Sequence, residues 1–385
     1  MSNERIPLSE PHLVGNVARY LDECIRTNFV SSVGPFVERF EREFAAFVGA
    51  RHAVACASGT AAIHVALRLF DVGSDDEVWV PTLTFVASAN PVLYERATPV
   101  LIDSERETWN ADPRLVVDEL TRRARSGTRL PKVIELVHIL GQPAQIDEIA
   151  AACEAHGVIL IEDAAEALGA RYLAGRFAGR QVGTIGRVGC YSFNGNKVIT
   201  CGGGGMLVTD DEKLARRAKH LTTQARLPGL AYRHDEVGYN YRLSNLSAAL
   251  GVAQLEQLPA FLERKREHAR RYDAAFGATP GLRLPPRLSW CDASHWLYSL
   301  SIDGDGQATT RDEILQRLID SGIEARPIWS PLHTMPLFAG APRLGSGAVA
   351  ESLAAHALSL PSSVQLTEAQ QARVVAAVLS PSSAP

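Results

Sequence analysis

Between about residues 52 and 210, short apolar runs alternate with stretches whose apolar positions recur every three to four residues. The runs at 77–80, 99–102, 133–137, 158–161, 189–193 and 205–208 are almost continuously apolar, as strands covered on both faces are. Stretches such as 145–154 fall between them with helical spacing, and the alternation predicts a mostly parallel, doubly wound α/β sheet. From 245 to about 276 the pattern predicts one long helix, with a break expected at Pro259. Beyond it, 296–302 reads as a strand and 311–321 and 367–379 read as helices, which predicts a small α+β domain. The expected division is a large domain over 1–245, then the long linking helix and the small C-terminal domain over 246–385. The ends, 1–4 and 380–385, read as frayed.

Three of the junctions in this pattern carry chemistry. The segment Ser192-Phe193-Asn194-Gly195-Asn196-Lys197, followed by Cys201 and the run Gly202 to Gly205, sends one lysine from a buried strand into a tight loop. An amine partly desolvated there can attack a carbonyl and form a Schiff base, whereas a loop lysine standing alone is ordinarily a solvated surface group. Upstream, the run 158–161 ends in Glu162-Asp163-Ala164-Ala165-Glu166, so carboxylates sit where α/β sheets keep their ligands. Asp163 there suits a buried cation such as a protonated pyridine nitrogen, or else caps the following helix. Earlier, Ser58-Gly59-Thr60 stands at the start of a helical pattern, either as a plain cap or as a phosphate cradle. Taken together, a Schiff-base lysine, a pyridinium aspartate and a phosphate cradle point to pyridoxal 5′-phosphate.

These motifs, in this order and spacing, resemble the fold type I pyridoxal-phosphate enzymes, and among them the sugar aminotransferases of the DegT/DnrJ/EryC1/StrS family. The resemblance spans nearly the whole chain and includes Pro81 to Asn90, Gly141-Gln142-Pro143 and Gly238 to Asn245. It implies that Lys197 is the Schiff-base lysine, that Asp163 pairs with the pyridine nitrogen, and that Ser58, Gly59, Thr60 and Ser192 hold the phosphate. Phe85 occupies the position of the ring that stacks on the cofactor, with a core phenylalanine as the alternative. Asn240 matches a residue that reaches across a dimer interface, which implies a homodimer with shared sites. Glu166 stands near the cofactor where many relatives carry Gln or His. Gln142 lies in a matching segment near the cofactor and is assigned to substrate binding, while Arg326, Trp329 and His333 lie where relatives meet the sugar nucleotide, with structural roles as the alternative for each of these three. The implied reaction passes an amino group from L-glutamate to a keto sugar by ping-pong steps, the freed Lys197 amine moving the proton. The segments 27–34, 220–225 and 326–329 resemble the branch acting on UDP-4-keto-6-deoxy-N-acetylhexosamines. The alternatives are a related ketone, such as a keto-inositol or keto-octulosonate, and an idle cofactor-binding regulator.

Composition agrees with a cytoplasmic enzyme. The chain has 385 residues, 46% of them hydrophobic, enough for a large core. A net charge of −4 without basic runs makes nucleic acid a poor partner, and no apolar run reaches transmembrane length. The six cysteines show no metal-type pair spacing, so reduced thiols and no metal are expected. Cys201, four residues after Lys197, is placed either near the cofactor or in the core as a small filler.

Overall fold

A computed structural model describes residues 5–302 and 309–380. At its centre lies an eight-stranded sheet, ordered His52–Cys56, Gly205–Thr209, Val188–Ser192, Ile159–Asp163, Val133–Val137, Glu77–Pro81, Thr98–Ile102 and Arg343–Leu344. Gly205–Thr209 runs antiparallel to both neighbours, and all other pairings are parallel. This is the α/β fold expected of a fold type I enzyme. Because the strands are parallel, Cys56, Pro81, Val137, Asp163 and Ser192 all end at one edge of the sheet, and the segments that follow them face one another there.

Aromatic packing fixes the lysine-bearing strand. Phe40 and Phe44, on the helix Pro35–Val48, lie 5.1 and 5.3 Å from the ring of Phe193, and Phe44 lies 5.0 Å from Tyr191. The long helix Asn245–Phe276 closes over this layer. A Cβ on its Gly251 would stand 2.6 Å from Cys201 Sγ and 2.8 Å from Phe40 Cζ, so only glycine permits the approach. Cys201 is therefore a core filler beneath the helix. The break expected at Pro259 does not occur: the helix runs through it, with Leu258, Phe261 and Leu262 buried on either side. Packing of this face outweighs the hydrogen bond that proline cannot make.

The C-terminal sheet is antiparallel, ordered Arg326–Pro327, Ala357–Leu360, Tyr298–Ile302 and Leu282–Arg283. The helices Arg311–Asp320 and Glu368–Leu379 and the end of the long helix back it, around Tyr272, Phe276, Leu300, Ile314 and Val374. Sequence pattern did not foresee the two-residue strand Arg343–Leu344, which leaves this unit and pairs with Thr98–Ile102 at the edge of the large sheet. Among the described residues no helix is long and apolar enough to cross a membrane, and no His, Cys, Asp and Glu cluster could hold a metal.

Side-chain alternation along Ile159–Asp163 sends adjacent carboxylates to opposite faces. Glu162, fully buried, faces His138 Nε2 at 3.1 Å and accepts from the N–H groups of Gly183, Ile185 and Gly186 at 2.8, 2.6 and 2.7 Å. Burial opposes its charge, but these donors outweigh it and hold the carboxyl below its ordinary range. Glu135, on Val133–Val137, shares a face with Asp163, since Val137 pairs with Asp163 and Glu135 with Ile161. It is fully buried, and neither oxygen has a hydrogen-bond partner among the described residues. Burial first, then the charge of Asp163, pushes its carboxyl well above the ordinary range.

A carboxyl whose folded pKa is raised stabilises the fold most below its unfolded pKa, and that contribution is lost as pH rises. Glu135→Leu is therefore expected to stabilise the protein by about 1 kcal/mol or more at pH 8, and by less at pH 5. Thermal unfolding at the two pH values checks this, and a lower Tm at both would contradict it.

Candidate active site

At the sheet edge lies a cavity of about 470 Å³ lined by Ser58, Gly59, Thr60, Phe85, Asp163, Glu166, Ser192, Lys197 and Trp329, with Thr84, Ser88, Asn194, Asn196 and Trp296 among its other walls. Nine residues singled out from sequence thus meet in one space.

Lys197 stands on a loop tied back on itself. Phe193 N–H donates to Gly204 O at 2.9 Å, Cys201 N–H to Phe193 O at 3.0 Å, and Lys197 N–H to Asn194 O at 3.1 Å. Its side chain is 14% exposed, and Nζ lies 3.6 Å from Glu166 Oε1 and 3.9 Å from the centre of the Trp296 ring. Asp163, 5% exposed, accepts from Ser88 Oγ at 2.8 Å and from Ala165 N–H at 2.9 Å. Both carboxylate oxygens are thereby oriented before any ligand enters.

Glu166 accepts from Leu140 N–H at 2.6 Å, and Leu140 is in the left-handed region with φ 56. Burial pushes the Glu166 carboxyl above its ordinary range, with the Lys197 ammonium and the Leu140 N–H acting in the opposite direction. On the far wall, Ser58 caps the helix Gly59–Leu69 by accepting from Ala61 N–H at 3.0 Å. A Cβ on Gly59 would stand 2.8 Å from Ser192 Cβ, and one on Gly205 2.3 Å from Ser58 O. The glycines let strand and helix start close to within the width of a methyl group, leaving a pocket of first-turn N–H groups suited to an anion. Phe85 is half exposed at the mouth, its ring 5.2 Å from that of Trp329. Trp329 Nε1 is buried without a hydrogen-bond partner among the described residues.

The other sequence candidates do not line this cavity. Gln142 donates from Nε2 to Cys291 Sγ at 3.2 Å, in a separate crevice beside Leu140 and His295. His333 is held between Thr82 Oγ1 at 2.7 Å and Glu351 Oε1 at 2.9 Å. Arg326 is exposed on a strand of the C-terminal sheet and contacts the carbonyl of Ala325. Asn240 is exposed and bridges Thr223, outside the cavity of its own chain. Ser88 and Trp296 were missed as site residues. Ser88 lies inside the Pro81 to Asn90 segment, while Trp296 reads from sequence only as part of an apolar strand.

Known proteins are similar to this chain over nearly its whole length. The chain is 45% identical over 380 residues to EpsN of Bacillus subtilis, covering 98% of this chain and 96% of that one. It is 38% identical over 377 residues to a GDP-perosamine synthase of Caulobacter vibrioides, covering 97% of each. Among solved structures, the aminotransferase TlmJ from Streptoalloteichus hindustanus matches with a TM-score of 0.87 at 30% identity, again over 97% of each chain. The model of the DegT/DnrJ/EryC1/StrS aminotransferase family matches residues 12–379, and the chain belongs to that family of sugar aminotransferases.

Proposed function

We propose that the cavity binds pyridoxal 5′-phosphate and that the protein uses it to move an amino group from L-glutamate to a keto sugar carried on a nucleotide. The observation that carries this reading is the meeting of the Lys197 amine and the pre-oriented Asp163 carboxylate across one partly enclosed space. Aminotransferases of this family depend on pyridoxal phosphate. When bound, the cofactor supplies an electron sink for the carbon next to the transferred nitrogen.

The chain's own residues divide the remaining work. Lys197 Nζ holds the cofactor covalently between turnovers and, once released, carries the proton from the α-carbon of the donor. Asp163, fixed by Ser88 and Ala165, keeps the ring nitrogen protonated. Ser58, Gly59, Thr60 and Ser192 hold the phosphate at the start of the helix Gly59–Leu69. Phe85 and Trp329 form the aromatic wall at the mouth, and Glu166 stands beside the Lys197 amine.

Asn240 serves the site of a second chain in a homodimer. Its exposure supports this reading, as do the exposed Leu230, Tyr232 and Val237 on the same loop and Phe29, Val30 and Val33 elsewhere on the surface. The acceptor is a UDP-linked 4-keto-6-deoxy-N-acetylhexosamine. A GDP-linked keto sugar is the second reading, favoured by three relatives named GDP-perosamine synthase at 36 to 38% identity. A panel of keto sugar nucleotides with L-glutamate, read as 2-oxoglutarate release and product mass, separates the two.

Lys197→Ala is expected to lower glutamate-dependent turnover by about 10³-fold or more, and near-normal turnover would remove the central role of the lysine. Asp163→Asn is expected to lower kcat by about 10²-fold. Steady-state kinetics check this, with an unchanged kcat contradicting the pyridinium role. Mixing Asn240→Ala chains with Lys197→Ala chains should restore activity that neither variant has alone. Failure to restore any would mean that each chain builds its site unaided.

A further inference from the structure

The nearest ring to the Lys197 amine belongs to Trp296, to which the proposed function assigns no work. Its side chain is 1% exposed and anchored at both ends. Nε1–H donates to Asn196 O at 2.7 Å, tying the indole to the residue just before Lys197. At the other end, the Trp296 carbonyl accepts from Lys265 Nζ at 3.0 Å, and Lys265 also donates to Ser362 O at 2.7 Å.

Lys265 is an expensive group to keep in that position. It sits on the long helix Asn245–Phe276, is 3% exposed, and has two backbone carbonyls as partners and no carboxylate among the described residues. Burial pushes its ammonium down to about 7. A methionine would fill similar space without the desolvation cost, but it could not bridge the carbonyl of Trp296 to the segment of Ser362. Two otherwise costly features, a buried lysine and a fully buried indole with its N–H committed, thus converge on the orientation of one ring. The face of that ring meets the Lys197 ammonium at 3.9 Å, the arrangement in which an aromatic quadrupole attracts a cation.

We infer that Trp296 is a positioning residue for Lys197, its indole face serving as the resting platform of the Lys197 ammonium whenever that amine is not bonded to the cofactor, and that Lys265 is the clamp that holds the platform. The inference rests on the proposed role of Lys197 and adds to it the means by which the released amine stays in place. The charged groups facing Lys197 from the elements around it are Glu166 and Asp163. Those that act on or feel Lys265 include His268 on its own helix and His295 on the segment before Trp296.

A ring that attracts the ammonium keeps the released amine at the cavity, so removing the ring should slow the steps that need Nζ there. The test uses the full chain loaded with pyridoxal phosphate, followed by steady-state kinetics with L-glutamate. Trp296→Leu is expected to lower kcat by about 10-fold or more, with Trp296→Phe, which keeps an aromatic face, restoring part of the loss. kcat should fall more than KM for glutamate changes.

If Trp296→Leu does not fold, Lys265→Met carries the test. Loss of the clamped platform is expected to lower its kcat in the same way, with KM for glutamate changing less. An unchanged kcat, or a KM that moves as much as kcat, in the folded variant overturns the inference. The proposed function is checked apart from this, by whether added pyridoxal phosphate gives a visible absorbance band that Lys197→Ala lacks.

Discussion

The structure depends on one buried carboxylate whose direction is settled before any ligand arrives. Asp163 accepts from the Ser88 hydroxyl and the Ala165 amide, and its neighbour Glu162 points the other way into His138 and three backbone N–H groups. The strand Ile159–Asp163 is thus pinned from both faces at its C-terminal end. A register slip of one residue would exchange the two carboxylates and undo both sets of contacts at once. Because the neighbouring strands are parallel, fixing this end also fixes the edge from which Ser58, Ser88 and Lys197 reach the same cavity.

Glycine and aromatic residues then bring the walls together. Gly59 lets the helix start approach Ser192, Gly205 lets the antiparallel strand approach Ser58, both within distances that no side chain would permit, and Gly251 does the same for the long helix over Cys201. Phe40, Phe44, Tyr191 and Phe193 supply the packing that keeps the lysine strand in place. The costs of the arrangement are also visible: among the described residues, Glu135 stays buried without a partner near Asp163, and Lys265 stays buried against carbonyls alone.

Much of this was legible in the sequence because the relevant signals are local. Continuous apolar runs identify parallel strands wherever both faces are covered, and Lys197, Asp163 and Ser58 each sit where such a run meets a turn. What escaped depends on contacts between distant segments. Arg343–Leu344 is too short for any periodicity, and its strand character comes from Thr98–Ile102. His333 looked available for substrate but is taken up by Thr82 and Glu351, and Gln142 by Cys291. Trp296 reaches Lys197 across 99 positions of sequence, and no local pattern marks such a pairing. The helix through Pro259 shows the converse, a strong local signal overridden by tertiary packing.

The most direct measurement is to load the full chain with pyridoxal phosphate, reduce it with borohydride and map the modified peptide by mass spectrometry. A single pyridoxyl group on Lys197 is expected. A group on another lysine, or no covalent label at all, would contradict this.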